Sequence, residues 1–187
     1  MHSELSVRYI IDANDNISFV DDGWCRFAEE NDGADLMPAI ILGQSIWDHI
    51  TDVTTTSLYQ QIVSQVRQGK SSRFVLRCDS PDCRRLLELT ISPAPNGSVE
   101  FVTQPLDLEG REPIPILSHS MPRSDDLIRA CSWCNRIDAG SGFSEWVEVE
   151  EAMNRLRLFE LEQMPQLTHG ICESCYAKMT KKVALIA

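Results

Sequence analysis

Two cysteine pairs of identical spacing, Cys131-x-x-Cys134 and Cys172-x-x-Cys175, restrict what the C-terminal part of this chain can fold into. A two-residue spacer lets one tight turn present both sulfurs to a single ion at ~2.3 Å, and two such pairs supply the four donors of a closed, tetrahedral structural zinc site. A closed set leaves no position for an activated water, which argues against hydrolytic metal chemistry with its three protein ligands and one water. The chain has seven cysteines, an odd number, and its start "MHSELSVRYIIDANDN" has no basic segment followed by a long apolar run. Both features point to a reducing, cytoplasmic compartment, where paired thiols are metal ligands or redox groups. The competing reading is a thiol redox switch or oxidoreductase in which one pair cycles between dithiol and disulfide. Such a pair normally stands at a helix N-terminus beside a strand of an alternating β/α fold, an arrangement not expected here. Between the two readings lies a zinc site opened by oxidation, since metal binding and folding are coupled in small domains.

Between the pairs lie 37 residues, longer than a usual ribbon insertion, so this segment needs structure of its own. "GFSEWVEV" reads as a strand carrying Trp146. Val149, Ala152, Met153, Leu156 and Phe159 form a helical stripe that packs over the site, and "MPQLTHG" ends that helix. Trp133, inside the first pair, reads as a packing residue.

Upstream, Pro105, Pro113, Pro115 and Pro122 fall in a stretch with no sustained period of either kind, which reads as a linker. Three segments follow: a first domain over residues 1–106, a Pro-rich linker over 107–126 with the boundary near residue 115, and a four-cysteine module over 127–187. With 28 acidic and 17 basic side chains the net charge is -11, which repels phosphate backbones. The one basic cluster, Lys178, Lys181 and Lys182, is short, and no apolar run approaches the ~20 residues of a membrane span. Neither nucleic acid nor membrane is expected as a partner.

In the first domain, Val7, Tyr9 and Ile11 alternate before the turn signal "NDN" and a second apolar run, a hairpin pattern. "DDGWCRFAEEND" and "LGQSIWDHI" read as short helical elements. Leu58, Tyr59, Ile62, Val63 and Val66 recur at helical spacing, with threonines to cap the start and Gly69 to end it. "RFVLRC", with Phe74, Leu76 and Cys78 on one face, "RLLELTIS" and "SVEFVT" then read as a three-strand meander. Two strands, short helices, one longer helix and three strands are the order of a PAS domain, which residues 5–105 resemble. "GQSIWDHI" is similar to the Gly, spacer, Asp segment before the family's connector helix, and "FVDDGWCRFA" to its first strand-to-helix passage. The resemblance implies a five-stranded antiparallel sheet with helices on one face, and a sensory or partner-holding role, including a homodimer through this domain.

The residues name no PAS ligand. "WCRFAEE" is similar to the flavin-reactive NCRF motif of light-sensing relatives, but it precedes the Gly43–Ile50 segment, has Trp24 in place of asparagine and lacks the later glutamine. Cys25 is therefore read as a small buried apolar residue. His49 is read as a surface or hydrogen-bonded histidine rather than a haem ligand, and His2 and His119 likewise carry no site. Cys78 and Cys83 flank a turn with Arg77, Arg84 and Arg85 nearby to lower a thiol pKa, and a reversible disulfide between them stays open.

The second half also resembles a known unit, the small cysteine module that ends many bacterial signalling proteins. Its pattern, C-x-x-C-x-x-I, a later W-x-x-x-E and then H-G-I-C-x-x-C, is met by Cys131, Cys134, Ile137, Trp146, Glu150, His169, Gly170, Ile171, Cys172 and Cys175. The resemblance implies a signalling context and a metal site. His169 either replaces a cysteine as ligand or donates a hydrogen bond to one. No phosphate loop, nucleophile elbow or histidine-kinase-like helix is legible, so no catalytic residue is expected. The fold expected is α+β: a PAS-like five-stranded sheet with short helices, plus a small four-cysteine zinc-binding α/β module. The function expected is a non-catalytic sensor or adaptor whose output passes through a signalling partner.

Overall fold

The structure, a computed structural model, describes residues 6–31, 33–118 and 120–186, the side chains of the last two excepted. The fold is mixed α+β, in two compact units. The first comprises Met1–Val75, Leu87–Leu106 and Met179–Ala187, and the second Leu76–Leu86 and Asp107–Lys178.

The first unit opens with a hairpin of β1 (Val7–Ile11) and β2 (Ile17–Val20). Its turn is self-bonded: the Asp12 carboxylate accepts the Asn14 and Asn16 amides at 2.8 and 2.9 Å, and Asp15 takes the left-handed φ of 66°. Asp12 bonds the turn's backbone, while Asp15, a short side chain tolerated in that conformation, accepts the Trp47 indole N–H at 2.8 Å. Helix α1 (Asp22–Glu30) starts where the Asp21 carboxylate accepts the Trp24 amide. The short α2 (Pro38–Ile41) and a 3₁₀ turn over Ile46–His49 follow. Helix α3 (Val53–Arg67) is capped by Asp52, whose carboxylate accepts the Thr55 amide at 2.7 Å, so the cap is the aspartate and not the threonines behind it.

Strands β3 (Ser72–Arg77), β4 (Cys83–Pro93) and β5 (Val99–Gly110) complete a five-stranded antiparallel sheet of order β2-β1-β5-β4-β3. Alternation buries Phe74, Leu87, Leu89, Ile91, Val99 and Phe101, while α3 buries Leu58, Ile62, Val63 and Val66. Tyr9 stacks on Phe101 with centroids 4.6 Å apart and meets Trp24 edge-on at 5.3 Å. Burial pushes the phenols of Tyr9 and Tyr59 up. Arg67 ties α3 to the first hairpin, donating to the Asp12 carbonyl at 2.7 Å and the Asp15 carboxylate at 2.6 Å.

The second unit is built on a sheet of order β8-β7-β6-β9, from β6 (Arg123–Cys131), β7 (Ile137–Asp138), β8 (Trp146–Val147) and β9 (Met164–Gly170). Strands β6, β7 and β8 are successively antiparallel, whereas β6 and β9 run parallel. "MPQLTHG" is therefore a strand, contrary to its reading as the end of a helix. A parallel neighbour needs a crossover of a dozen or more residues, which is why the two cysteine pairs lie so far apart in sequence. That crossover carries β7, β8 and α4 (Val149–Arg155), followed by a 3₁₀ turn over Leu158–Glu160. The helix is shorter than its apolar stripe suggested. Arg157 adopts a left-handed φ of 51°, which breaks the period: Val149, Ala152 and Met153 are buried, and Phe159 is 61% exposed.

The stretch 107–126, read from its prolines as a linker, is integral to this unit. Strand β5 continues to Gly110, and Ile114 and Ile116 join Ala130, Ile137, Val147, Met153 and Met164 in one apolar core. Proline removes a backbone donor without preventing its neighbours from being buried, and the freed carbonyls are satisfied by a side chain. Arg123 donates to the carbonyls of Ile116, Ser118 and Pro165 at 3.0, 2.7 and 2.8 Å.

Candidate metal centre

Parallel pairing puts Cys131 beside Gly170 in the last register position of β6 and β9. Both chains thus leave the sheet at the same end, each directly into a cysteine turn. In the first turn the Asn135 amide donates to the Cys131 carbonyl at 2.9 Å and the Cys131 amide to the Arg136 carbonyl at 2.8 Å, with Asn135 at a left-handed φ of 59°. In the second, α5 (Glu173–Ile186) begins at once: the Cys175 amide donates to the Cys172 sulfur at 3.4 Å and the Tyr176 amide to the Cys172 carbonyl at 2.9 Å. The Cys172 sulfur thereby takes the place of an N-capping oxygen at the start of α5. Two bonds join the turns, from the Ser132 amide to the Gly170 carbonyl at 2.9 Å and from the Cys172 amide to the Cys131 sulfur at 3.4 Å.

All four sulfurs lie within 4.8 Å of one another. The Cys134 and Cys172 sulfurs are 3.8 Å apart. The edge of a tetrahedron of sulfurs about an ion at ~2.3 Å is also about 3.8 Å, far from the ~2.05 Å of a disulfide. Cys131 and Cys172 are buried and Cys134 and Cys175 half-buried, and all four are free thiols. Hydrogen bonds from the Cys134 and Cys175 side chains, aided by backbone amides, hold the Cys131 thiol well below the usual range despite burial. The same contacts with Cys131 push Cys134 up to about 12 and drive Cys175 upward. Crowded sulfurs therefore resist a second and third deprotonation, and a cation among them would relieve that repulsion.

The supporting shell is ionic. The Arg77 amide donates to the Trp133 carbonyl at 2.9 Å, fixing the hairpin tip, residues 76–86, beside the first turn. Arg77 also pairs with Asp79 and, at 2.5 Å, with Glu148, whose other oxygen accepts Arg136 at 3.0 Å. Arg111 bridges Asp79 and Glu150 at 3.2 and 3.0 Å, and Arg84 meets Glu150 at 2.9 Å. The Asp79 side chain has no exposed surface. Burial alone would raise its pKa, but the hydrogen bond and charge of Arg77, with Arg111, bring it below the ordinary carboxylate value. Sequence reasoning missed this network, because Glu148 and Glu150 lie more than 60 residues from Arg77 and Arg84, the hairpin arginines they meet.

The remaining candidates separate from the centre. His169 pairs in register with Ala130 on β9 and is exposed, outside the sulfur group. Ile137 is in the core, Arg129 lies over the Trp146 ring at 5.2 Å, and Glu150 is an ion-pair member rather than a ligand. Cys25 is half-buried in α1 and His49 is exposed. Cys78 lies just past the end of β3. Its thiol is raised, because burial outweighs the charge of Arg85, contrary to the lowering expected from the surrounding arginines. Arg77 and Arg84 are committed to carboxylates instead. His2 and His119 lie outside the described residues.

One expectation is overturned. β9 runs straight into Cys172 at the start of α5, beside the parallel β6, so a strand does feed a C-x-x-C at a helix N-terminus. The sequence hid this because β6 was not legible as a strand. At this level the centre is a closed four-cysteine cluster able to hold a metal ion. No protein family model matches the chain, and no curated protein matches it in sequence. Among the described residues, no helix is long and apolar enough to cross a membrane.

Proposed function

We propose that the chain is a non-catalytic sensor or adaptor of bacterial signalling, cytoplasmic and dimeric through a PAS-like first unit. Its four-cysteine module holds a structural zinc and offers a surface to a partner protein. The observation that carries the reading is the set of four sulfurs within 4.8 Å, delivered by two backbone-bonded turns at one end of a parallel strand pair. Zinc suits that donor set: four soft thiolates, tetrahedral spacing and no open position. The PAS-like reading draws support from the order of elements, two strands, short helices, a longer helix and three strands in one antiparallel five-stranded sheet. An aromatic cluster of Tyr9, Trp24 and Phe101 fills space beside α1, which favours partner holding over a large ligand cavity.

The test is metal content by plasma mass spectrometry on reductively purified protein, with thiols counted before and after metal removal. The expected result is one zinc per chain and four thiols that become reactive on its removal. A second reading, a dithiol oxidoreductase at Cys172 and Cys175, is favoured by the position of that pair at the N-terminus of α5. It predicts no bound metal and a reversible disulfide within the pair. The nearness of Cys131 and Cys134 favours the first reading, since a redox pair alone has no use for two more sulfurs at ligand distance.

A further inference from the structure

We infer that the cluster is a peroxide-sensitive release site in which oxidation joins Cys134 to Cys175, one sulfur from each turn, and expels the ion. This rests on the coordination reading above and adds its regulation. The cluster is asymmetric: Cys131 and Cys172 are 1% and 2% exposed, while Cys134 and Cys175 are half-buried. The two buried sulfurs accept backbone amides, from Cys172 to Cys131 and from Cys175 to Cys172, each at 3.4 Å. Cys134 also accepts a backbone amide, from Arg136, so the asymmetry that counts is access. A hydroperoxide arriving from solvent meets the other two first, and with all four sulfurs held as thiolates by the ion, access decides which cysteine oxidises.

The chemistry balances with a hydroperoxide as oxidant. The sulfur of Cys134 or Cys175 attacks the peroxide oxygen, the O–O bond breaks, and a sulfenic acid forms while the departing oxygen takes a proton and leaves as water or an alcohol. The second thiolate attacks the sulfenic sulfur, the S–O bond breaks, and hydroxide leaves as water after protonation. Two thiolates become one disulfide, and the peroxide is reduced by two electrons. The sulfurs need only close from at most 4.8 Å to the ~2.05 Å of the bond. Cys131 and Cys172 then remain as two donors where four were needed, and the site opens. The bridge spans the end of β6 and the first turn of α5, so the oxidised chain stays cross-linked while it loses the ion, a state from which reduction can restore the site.

The experiment uses the intact, zinc-loaded chain. Bound zinc is measured first, hydrogen peroxide is then titrated in the presence of a chromogenic chelator, and disulfides are mapped by fragmentation of unreduced peptides. One equivalent of peroxide is expected to release one equivalent of zinc and yield a Cys134–Cys175 bridge, with thiol reductant plus zinc reversing both. Retention of the ion under a tenfold excess of peroxide would overturn the proposal. So would a first disulfide within either C-x-x-C or between Cys78 and Cys83. A chain with no zinc before peroxide is added would instead sink the coordination reading, and this inference with it.

Discussion

Cys131 and Gly170 are register partners at the shared end of β6 and β9, and the chain enters a cysteine turn immediately after each. The four-cysteine cluster is thus an extension of strand pairing, and an ion held there would link its stability to that of the sheet. Removing the ion with a strong chelator is expected to unfold the second unit, given about 10–16 kcal/mol of binding free energy for structural zinc in small domains. Amide exchange of β6 and β9, before and after chelation, is the check: protection should collapse there while β1 and β5 keep theirs.

Ligand identity can be separated from sequence likeness. Cys131→Ser and Cys172→Ser should weaken zinc binding by more than the about 10–100-fold that loss of a supporting hydrogen bond costs. His169→Ala should leave one zinc per chain, because His169 is exposed on β9 and outside the sulfur group. Competition titration with a zinc indicator measures all three, and loss of stoichiometry in His169→Ala would make the histidine a ligand.

Asp79 is the acid-labile member of the ion network. Its folded pKa is depressed by Arg77 and Arg111 against burial, so its stabilisation is complete above the ordinary carboxylate pKa. It is lost as pH falls through the lower, folded value. Asp79→Asn strands two arginines and should cost about 3–5 kcal/mol at pH 7. Denaturation curves of the variant and the parent should begin to draw together as pH falls below about 4, the ordinary carboxylate value, and meet only below the lower, folded value. A gap of constant size across pH would show that the charge of Asp79 is not the source of the effect.

Asn135 holds a left-handed backbone at the first turn. Asn135→Gly should be near neutral, whereas Asn135→Val should destabilise by about 1–2 kcal/mol, since a branched side chain crowds the carbonyl in that conformation. Thermal melts of the zinc-loaded proteins test the order of the two.

Ile116 sits between Pro115 and Ser118 with no exposed surface. Ile116→Ala should lower stability by about 2–5 kcal/mol, the cost of a buried truncation. A truly loose linker would lose almost nothing, and urea melts distinguish the two.

Local patterns were readable where one segment decides its own structure. The Leu58 to Val66 period marks α3, the alternation through Leu87, Leu89 and Ile91 marks β4, and the repeated C-x-x-C spacing marks the sulfurs that meet. What was hidden depends on partners distant in sequence. "RSDDLIRAC" has too few apolar residues to signal a strand until β9 lies beside it, and "MPQLTHG" begins with a proline yet pairs from Met164 onward. The arginines of the β3–β4 hairpin looked available to activate a thiol because Glu148 and Glu150, their partners, lie more than 60 residues away. The prolines of 107–126 report the absence of regular structure correctly at a few positions and say nothing about the burial of Ile114 and Ile116.

The crossover between the cysteine pairs also imposes an order in time. Cys131 and Cys172 are 41 positions apart, so a chain made at about 5–20 residues per second exposes the first turn for seconds before the second exists. Closing that loop is slow relative to local hairpins, because the entropy of bringing distant strands together comes due before parallel pairing can repay it. The first turn alone offers an ion only two sulfurs. An ion held by the cluster would therefore be captured late and lock an already paired β6 and β9, and one supplied earlier would find a half-built site that competing thiols can strip.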